Sequence, residues 1–201
     1  MITVNVVSFK PPCINRDDVL KYAGIGKENP ISKELTDEAI SEVMKLDFYR
    51  ACYAELPVKV DEGHVDFVFT SVSSRDLARR LSGCTHALIV ATTLGISADR
   101  LIRRYMKTSP AKAYLINSAC TERVEALTDT LAMALDEKYA KDGMSLTRRF
   151  SPGYGDLGIE FQKEIFALIS PEKHLGVTLS EGLLMTPSKS VTAIIGLKPQ
   201  I

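Results

Sequence analysis

The stretch "AKAYLINSACTERVEALTDTLAMALDEKYA", residues 111–140, follows Pro110 and decides what kind of fold this chain builds. Within it Ile116, Cys120, Val124, Leu127, Leu131 and Leu135 recur at intervals of 4, 4, 3, 4 and 4 residues. An α-helix brings residues three and four apart onto one side, so the spacing predicts one long helix from Ala111 to about Ala140 with an apolar ridge turned to a core. Upstream, "THALIVATTLG" (residues 85–95) is the most strongly apolar strand-like run in the chain. It is expected to lie at the centre of a sheet, where both faces are covered.

Working outward, "ITVNVVSF" (residues 2–9) reads as a first strand stopped by Pro11 and Pro12. "INRDDVLKYAGIG" (14–26) reads as a short helix capped by Asn15 and ended by Gly24 and Gly26. "TDEAISEVMKL" (36–46) reads as a second helix capped by Thr36. "DFYRACYAELPVKV" (47–60) and "HVDFVFTSV" (64–72) supply two or three strands joined by the turn Asp61-Glu62-Gly63. Ser74 is expected to cap a short helix to Leu81, and Ser97 to cap "ADRLIRRYMKT" (98–108). "MSLTRRF" (144–150) reads as extended chain, "EFQKEIFALI" (160–169) as a helix, and residues 174–197 as closing strands around a Pro-Ser turn. The expected fold class is α+β: residues 1–201 as a single domain, with a twisted, largely antiparallel sheet packed by one long helix and several shorter ones.

Lys plus Arg equals Asp plus Glu at 25 each, so the summed field gives no reason to attract nucleic acid or an anionic membrane. Cys13, Cys52, Cys84 and Cys120 lack C-x-x-C spacing, which argues against a zinc knuckle or a secreted disulfide framework. With no apolar run near about 18 residues and no signal-peptide pattern at the start, a reduced, cytoplasmic setting is expected. His64, His86 and His174 stand far apart and there is no G-x-S-x-G, so no catalytic or metal-ligating residue is assigned. Arg100, Arg103, Arg104 and Lys107 share one helix face, which is either a solvated surface or a docking patch for an acidic partner.

"SPGYGDLGIEFQ" (151–162) contains the spelling G-x-G-x-x-G at Gly153, Gly155 and Gly158. A dinucleotide site needs a buried apolar strand running into those glycines, yet Arg148, Arg149 and Pro152 occupy that place. The same residues permit another chemistry. Arg149 offers a planar donor fork suited to a carboxylate, and Tyr154 an aromatic face with a polar tip. On spacing alone, a ligand site and a glycine turn that merely shapes the scaffold stand equal.

"RFSPGY" (Arg149 to Tyr154) resembles the R-x-x-x-G-Y signature of the activation, or reactivation, domain of vitamin B12-dependent methionine synthase. "LSEGLLMTPSKSVTA" (Leu179 to Ala193) is similar to a second block of that family at Leu179, Glu181, Met185, Pro187, Ser190 and Val191. On the long helix Asp129 matches a family carboxylate, whereas Met133 stands where the family carries another, and Gly155 stands where it has proline. The resemblance implies an S-adenosylmethionine-binding module that supports reductive methylation of cob(II)alamin, with the cobalamin carried by a partner. That partner would be a separate B12-dependent methionine synthase or another corrinoid carrier protein, with a flavodoxin-like protein as electron donor. It implies S-adenosylmethionine contacts from Arg149, Ser151, Pro152, Gly153, Tyr154 and Asp129, and a corrinoid- or partner-facing loop of Met185, Thr186, Pro187, Ser188, Lys189 and Ser190. The alternatives are a partner-binding subunit that steers a corrinoid domain without the ligand, and reactivation of a different corrinoid methyltransferase. Whether such a module counts as an enzyme, or only as part of a split methyltransferase system, the sequence leaves open.

Overall fold

The computed structural model describes residues 2–26 and 30–200. In chain order it contains β1 (Val4–Ser8), α1 (Arg16–Tyr22), α2 (Pro30–Val43), β2 (Arg50–Asp61), β3 (His64–Phe67), β4 (Thr70–Ser73), α3 (Arg75–Arg80) and β5 (His86–Thr93). Then follow α4 (Ile96–Met106), α5 (Pro110–Ala140), β6 (Met144–Leu146), α6 (Gln162–Ile169), α7 (Pro171–Leu175), β7 (Thr178–Leu179), β8 (Met185–Thr186) and β9 (Ser190–Pro199). The main sheet runs β4-β3-β2-β5-β9-β6, with β1 beside the first half of β2, and every described pairing is antiparallel. The α+β class with one long helix on an antiparallel sheet is therefore as the sequence implies.

β5 is central, and from Ala87 to Thr93 it is buried at every position. Alternation along a strand explains how. Ala87, Ile89 and Ala91 enter a core shared with α3, α6 and α7, while Leu88 and Val90 enter one shared with α5. The ridge on α5 divides its contacts: Leu131 and Leu135 pack on the sheet, and Ile116, Cys120, Val124 and Leu127 pack against α1, α2 and α4. Truncating Leu131 to alanine would cost about 2–5 kcal/mol, the usual range for a buried leucine. Among the described residues no helix is long and apolar enough to cross a membrane.

Two expected caps are not caps. α2 begins at Pro30, so Thr36 sits inside the helix rather than at its start; proline is well suited to a first helical turn because it needs no N–H partner there. α4 begins at Ile96 with Gly95 in the cap position, which puts Ser97 one residue inside. Gly95 has φ 69° and its N–H meets the Thr93 hydroxyl at 3.1 Å, so the chain turns out of β5 before serine is reached. Asn15 and Ser74 do cap as expected, each with its side-chain oxygen accepting backbone N–H groups.

The amino-terminal segment is fixed to α5 by polar groups out of water. Arg123 is fully buried; Nη1 donates to the Pro12 carbonyl, and Nε and Nη2 donate to the Tyr49 hydroxyl at 3.3 and 3.0 Å. Its neighbour Glu122 accepts the Asn15 N–H at 2.9 Å, and burial, partly countered by that bond, holds its carboxyl above the usual carboxylate range. A buried guanidinium without a carboxylate depends on each neutral acceptor it has. Tyr49→Phe keeps the ring and removes that hydroxyl, and is expected to cost about 1–3 kcal/mol. Urea denaturation would read this as a lower midpoint at unchanged slope; an unchanged midpoint would mean that the guanidinium does not rely on the phenol.

Candidate functional site

β6 runs beside the end of β9 with Leu146 opposite Leu197. Farther along, Phe150 lies opposite Ile194, so four residue steps on one strand are matched by three on the other. That mismatch is a β-bulge. Regular alternation would put Leu146, Arg148 and Phe150 on one face, but the extra residue breaks the parity: Leu146 joins the core under α5 and Phe150 joins the opposite core. Arg149 consequently turns toward α5.

There it meets two carboxylates one helical turn apart. Arg149 Nη2 lies 2.6 Å from Glu125 Oε2 and 3.4 Å from Asp129 Oδ1. Both engage the same nitrogen, and among the described residues Nε and Nη1 of Arg149 have no protein partner. Tyr22 on α1 stands near this pair; burial, and then the Glu125 carboxylate, raise its phenol above the ordinary value.

After Phe150 the chain makes the glycine turn. Tyr154 N–H bonds to Ser151 O, Leu157 N–H to Tyr154 O, and Gly153 N–H to Leu157 O at 2.8 Å. Gly153 and Gly155 have φ of 89° and 56°, the left-handed region that side chains disfavour, so the glycines are needed for the turn itself. Gly158 instead has an ordinary φ of −57° and precedes a short 3-10 turn, Ile159–Phe161, so no phosphate-binding strand-turn-helix is formed. Pro152 and Leu157 are buried and anchor the turn, while Tyr154 projects outward at 68% exposure. Asp156 ties it to the start of α3: its carboxylate accepts from the Ser74 hydroxyl, from Arg75 N–H at 2.7 Å and from Asp76 N–H at 3.2 Å.

Between the turn, α5 and β9 lies a cleft of about 570 Å³ lined by Arg149, Ser151, Pro152 and Tyr154 from the first block and by Met185 and Ser190 from the second. Two stretches some 30 residues apart in sequence thus share one hollow. Val191, a matching position of the second block, also lines it, as do Arg80, Glu125, Phe150, Gln162 and Thr192, to which the sequence gave no role in a site. Glu125 lies one turn before Asp129 on the same face, a spacing that could have found it. Gln162 carried no such signal; its Oε1 accepts the Thr192 hydroxyl at 2.8 Å. Beyond Ile194 no described strand covers the outer edge of β9. Because Ile194 exchanges both backbone bonds with Phe150, alternation points the N–H and C=O of Thr192 into the cleft.

The remaining expected residues lie elsewhere. Gly153 is exposed and does not line the cleft, and Asp129 stands beside Arg149 without lining the cavity. Thr186 is exposed on β8 and Pro187 is buried. Ser188 is exposed, yet its N–H lies 2.9 Å and its hydroxyl 2.5 Å from the buried Asp99 carboxylate. Lys189 is half-buried and donates to the Thr121 hydroxyl at 2.8 Å, and burial lowers its pKa.

The Asp156 latch has a pH dependence of defined sign. Hydrogen bonds, the Ser74 hydroxyl first, hold its carboxyl below the ordinary aspartate value, so its stabilisation is present above that ordinary value and lost as pH falls through the lower folded one. Protection of the Gly153 and Leu157 amides, their exchange rates taken relative to the unstructured chain at the same pH, is expected to fall as this carboxyl protonates. Asp156→Asn should loosen the same amides at neutral pH, and unchanged protection in that variant would show that the turn stands without the latch.

No protein-family model matches the sequence, and no curated protein matches it. Among solved structures the chain is similar to the MetH reactivation domain bound to AdoHcy, with 14% sequence identity, all of this chain and 80% of that one covered, and a TM-score of 0.75. At that identity the likeness is one of fold: the chain has the architecture of the MetH reactivation domain.

Proposed function

We propose that this protein is an S-adenosylmethionine-binding module of the reactivation type, supporting reductive methylation of cob(II)alamin held by a separate B12-dependent methionine synthase or other corrinoid protein. The observation that carries this reading is the meeting of both sequence blocks in one cleft, in a fold whose solved relative was crystallised with AdoHcy. The donor would bring a sulfonium methyl with its leaving group built in, and the partner would bring the cobalt that receives it.

The protein's task is then to bind and to orient. Arg149, held through Nη2, keeps Nε and Nη1 as donors for a methionine carboxylate. The backbone of Ser151 to Gly153 and the unpaired edge at Thr192 supply N–H and C=O groups for the nucleoside and ammonium parts. Tyr154 stands ready to pack beside them, and Asp129 steadies the guanidinium. A cleft of about 570 Å³ falls within the size range of small-molecule sites. Exposed Leu184 and Thr186 on the neighbouring hairpin would face the corrinoid carrier, with Met185 and Ser190 forming the wall between. Fixing both reactants in line is where such a module contributes most, since small misplacements cost much rate. A flavodoxin-like protein fits as electron donor, and the cytoplasm as setting.

One observation favours a second reading, a partner-binding subunit without the ligand: Glu125 already occupies one nitrogen of Arg149 at 2.6 Å, and Met133 leaves the next turn of α5 without a carboxylate. Calorimetry separates the two. S-adenosylmethionine is expected to bind, and Arg149→Ala to weaken it about 10- to 100-fold, the worth of a charge-assisted hydrogen bond. Absence of heat at millimolar ligand in a folded sample would leave only the second reading, and an unaltered affinity in Arg149→Ala would move the carboxylate contact elsewhere.

A further inference from the structure

We infer that a second cleft, beside the candidate site, is a binding site for the phosphate group of a small molecule. It measures about 550 Å³ and shares Arg80 and Phe150 with the first cleft. Four cations line it, Arg79, Arg80, Arg148 and Lys198, against one carboxylate, Asp76, which pairs with Arg79 at 3.3 Å. Among the described residues Arg80, Arg148 and Lys198 have no ion pair. The chain as a whole balances its charges at 25 to 25, so this concentration of one sign is a matter of placement.

The placement has separate causes. Arg79 and Arg80 close the last turn of α3, where the helix dipole favours cations, and that alone would be ordinary. Lys198 comes from β9 opposite Ser145, and Arg148 occupies the bulge that turns Arg149 the other way. No helix end accounts for those two. Thr147 joins them on the wall, its hydroxyl accepting the Gly196 N–H at 2.9 Å. Cations on three different elements thus converge on one concavity, unlike the row Arg100, Arg103, Arg104 and Lys107, which is spread along the outer face of α4. A spread row suits a broad acidic surface, whereas converging guanidinium forks suit a compact anion that accepts paired hydrogen bonds, and a phosphate does so best.

Pyrophosphate titrated into the full chain at low ionic strength tests this without reference to S-adenosylmethionine. Saturable one-to-one binding is expected, weakening as salt rises. Arg148→Ala and Lys198→Ala, both at exposed positions, should each lower the affinity about tenfold or more with the melting temperature unchanged. Arg100→Ala on α4 should leave it as it was. The inference is overturned if pyrophosphate does not saturate by millimolar concentration, if Arg100→Ala weakens binding as much as Arg148→Ala does, or if a polyglutamate peptide binds this face and pyrophosphate fails to displace it.

Discussion

One additional residue between Leu146 and Phe150 governs the chemistry of this molecule. Without it, strand parity would carry Arg149 to the α3 side of the sheet, away from Glu125 and Asp129. With it, the two arginines exchange faces, Arg149 going to α5 and Arg148 to the basic cleft, and Phe150 enters the core on the α3 side. The bulge also ends regular pairing, and so the outer edge of β9, the one away from β5, continues past Ile194 uncovered and leaves room for the first cleft. Bulges are known to re-aim side chains and terminate pairing near functional sites, and here both effects come from the same place.

α5 holds two arginines in contrasting ways. Arg123, on the helix itself, has each of its three guanidinium nitrogens bonded to the Pro12 carbonyl or the Tyr49 hydroxyl and is sealed from water. Arg149 comes to the helix from the sheet edge, keeps 28% of its side chain exposed, and is gripped through one nitrogen. The first arrangement has nothing left to offer a ligand. The second is oriented by its carboxylates yet retains donors, which is the condition for pre-organised recognition.

The long helix and the central strand were legible because each depends on local periodicity. Caps were read less well. Thr36 and Ser97 have the right chemistry, but Pro30 and Gly95 start their helices earlier through backbone constraints that outweigh a side-chain acceptor. Likeness gave the two sequence blocks separate roles, and that residues of both line one cleft is a feature the fold adds; Gln162, Arg80 and Thr192 were invisible because their place there comes only from register. The loop Pro187 to Lys189 shows another limit: Ser188 and Lys189 bond back to Asp99 and Thr121, partners far away in sequence that no local pattern marks.

The bare outer edge of β9 has a cost for the protein's behaviour in solution. Unpaired strand edges invite pairing with other chains, and natural proteins keep them short, bulged or covered. Here the bare part spans only Ser190 to Ala193, with the turn of Pro152 to Leu157 beside it, so an incoming strand would find too little length to zip along. Colloidal behaviour thereby limits how far the opening could widen: a longer gap would admit larger ligands and, by the same measure, foreign strands.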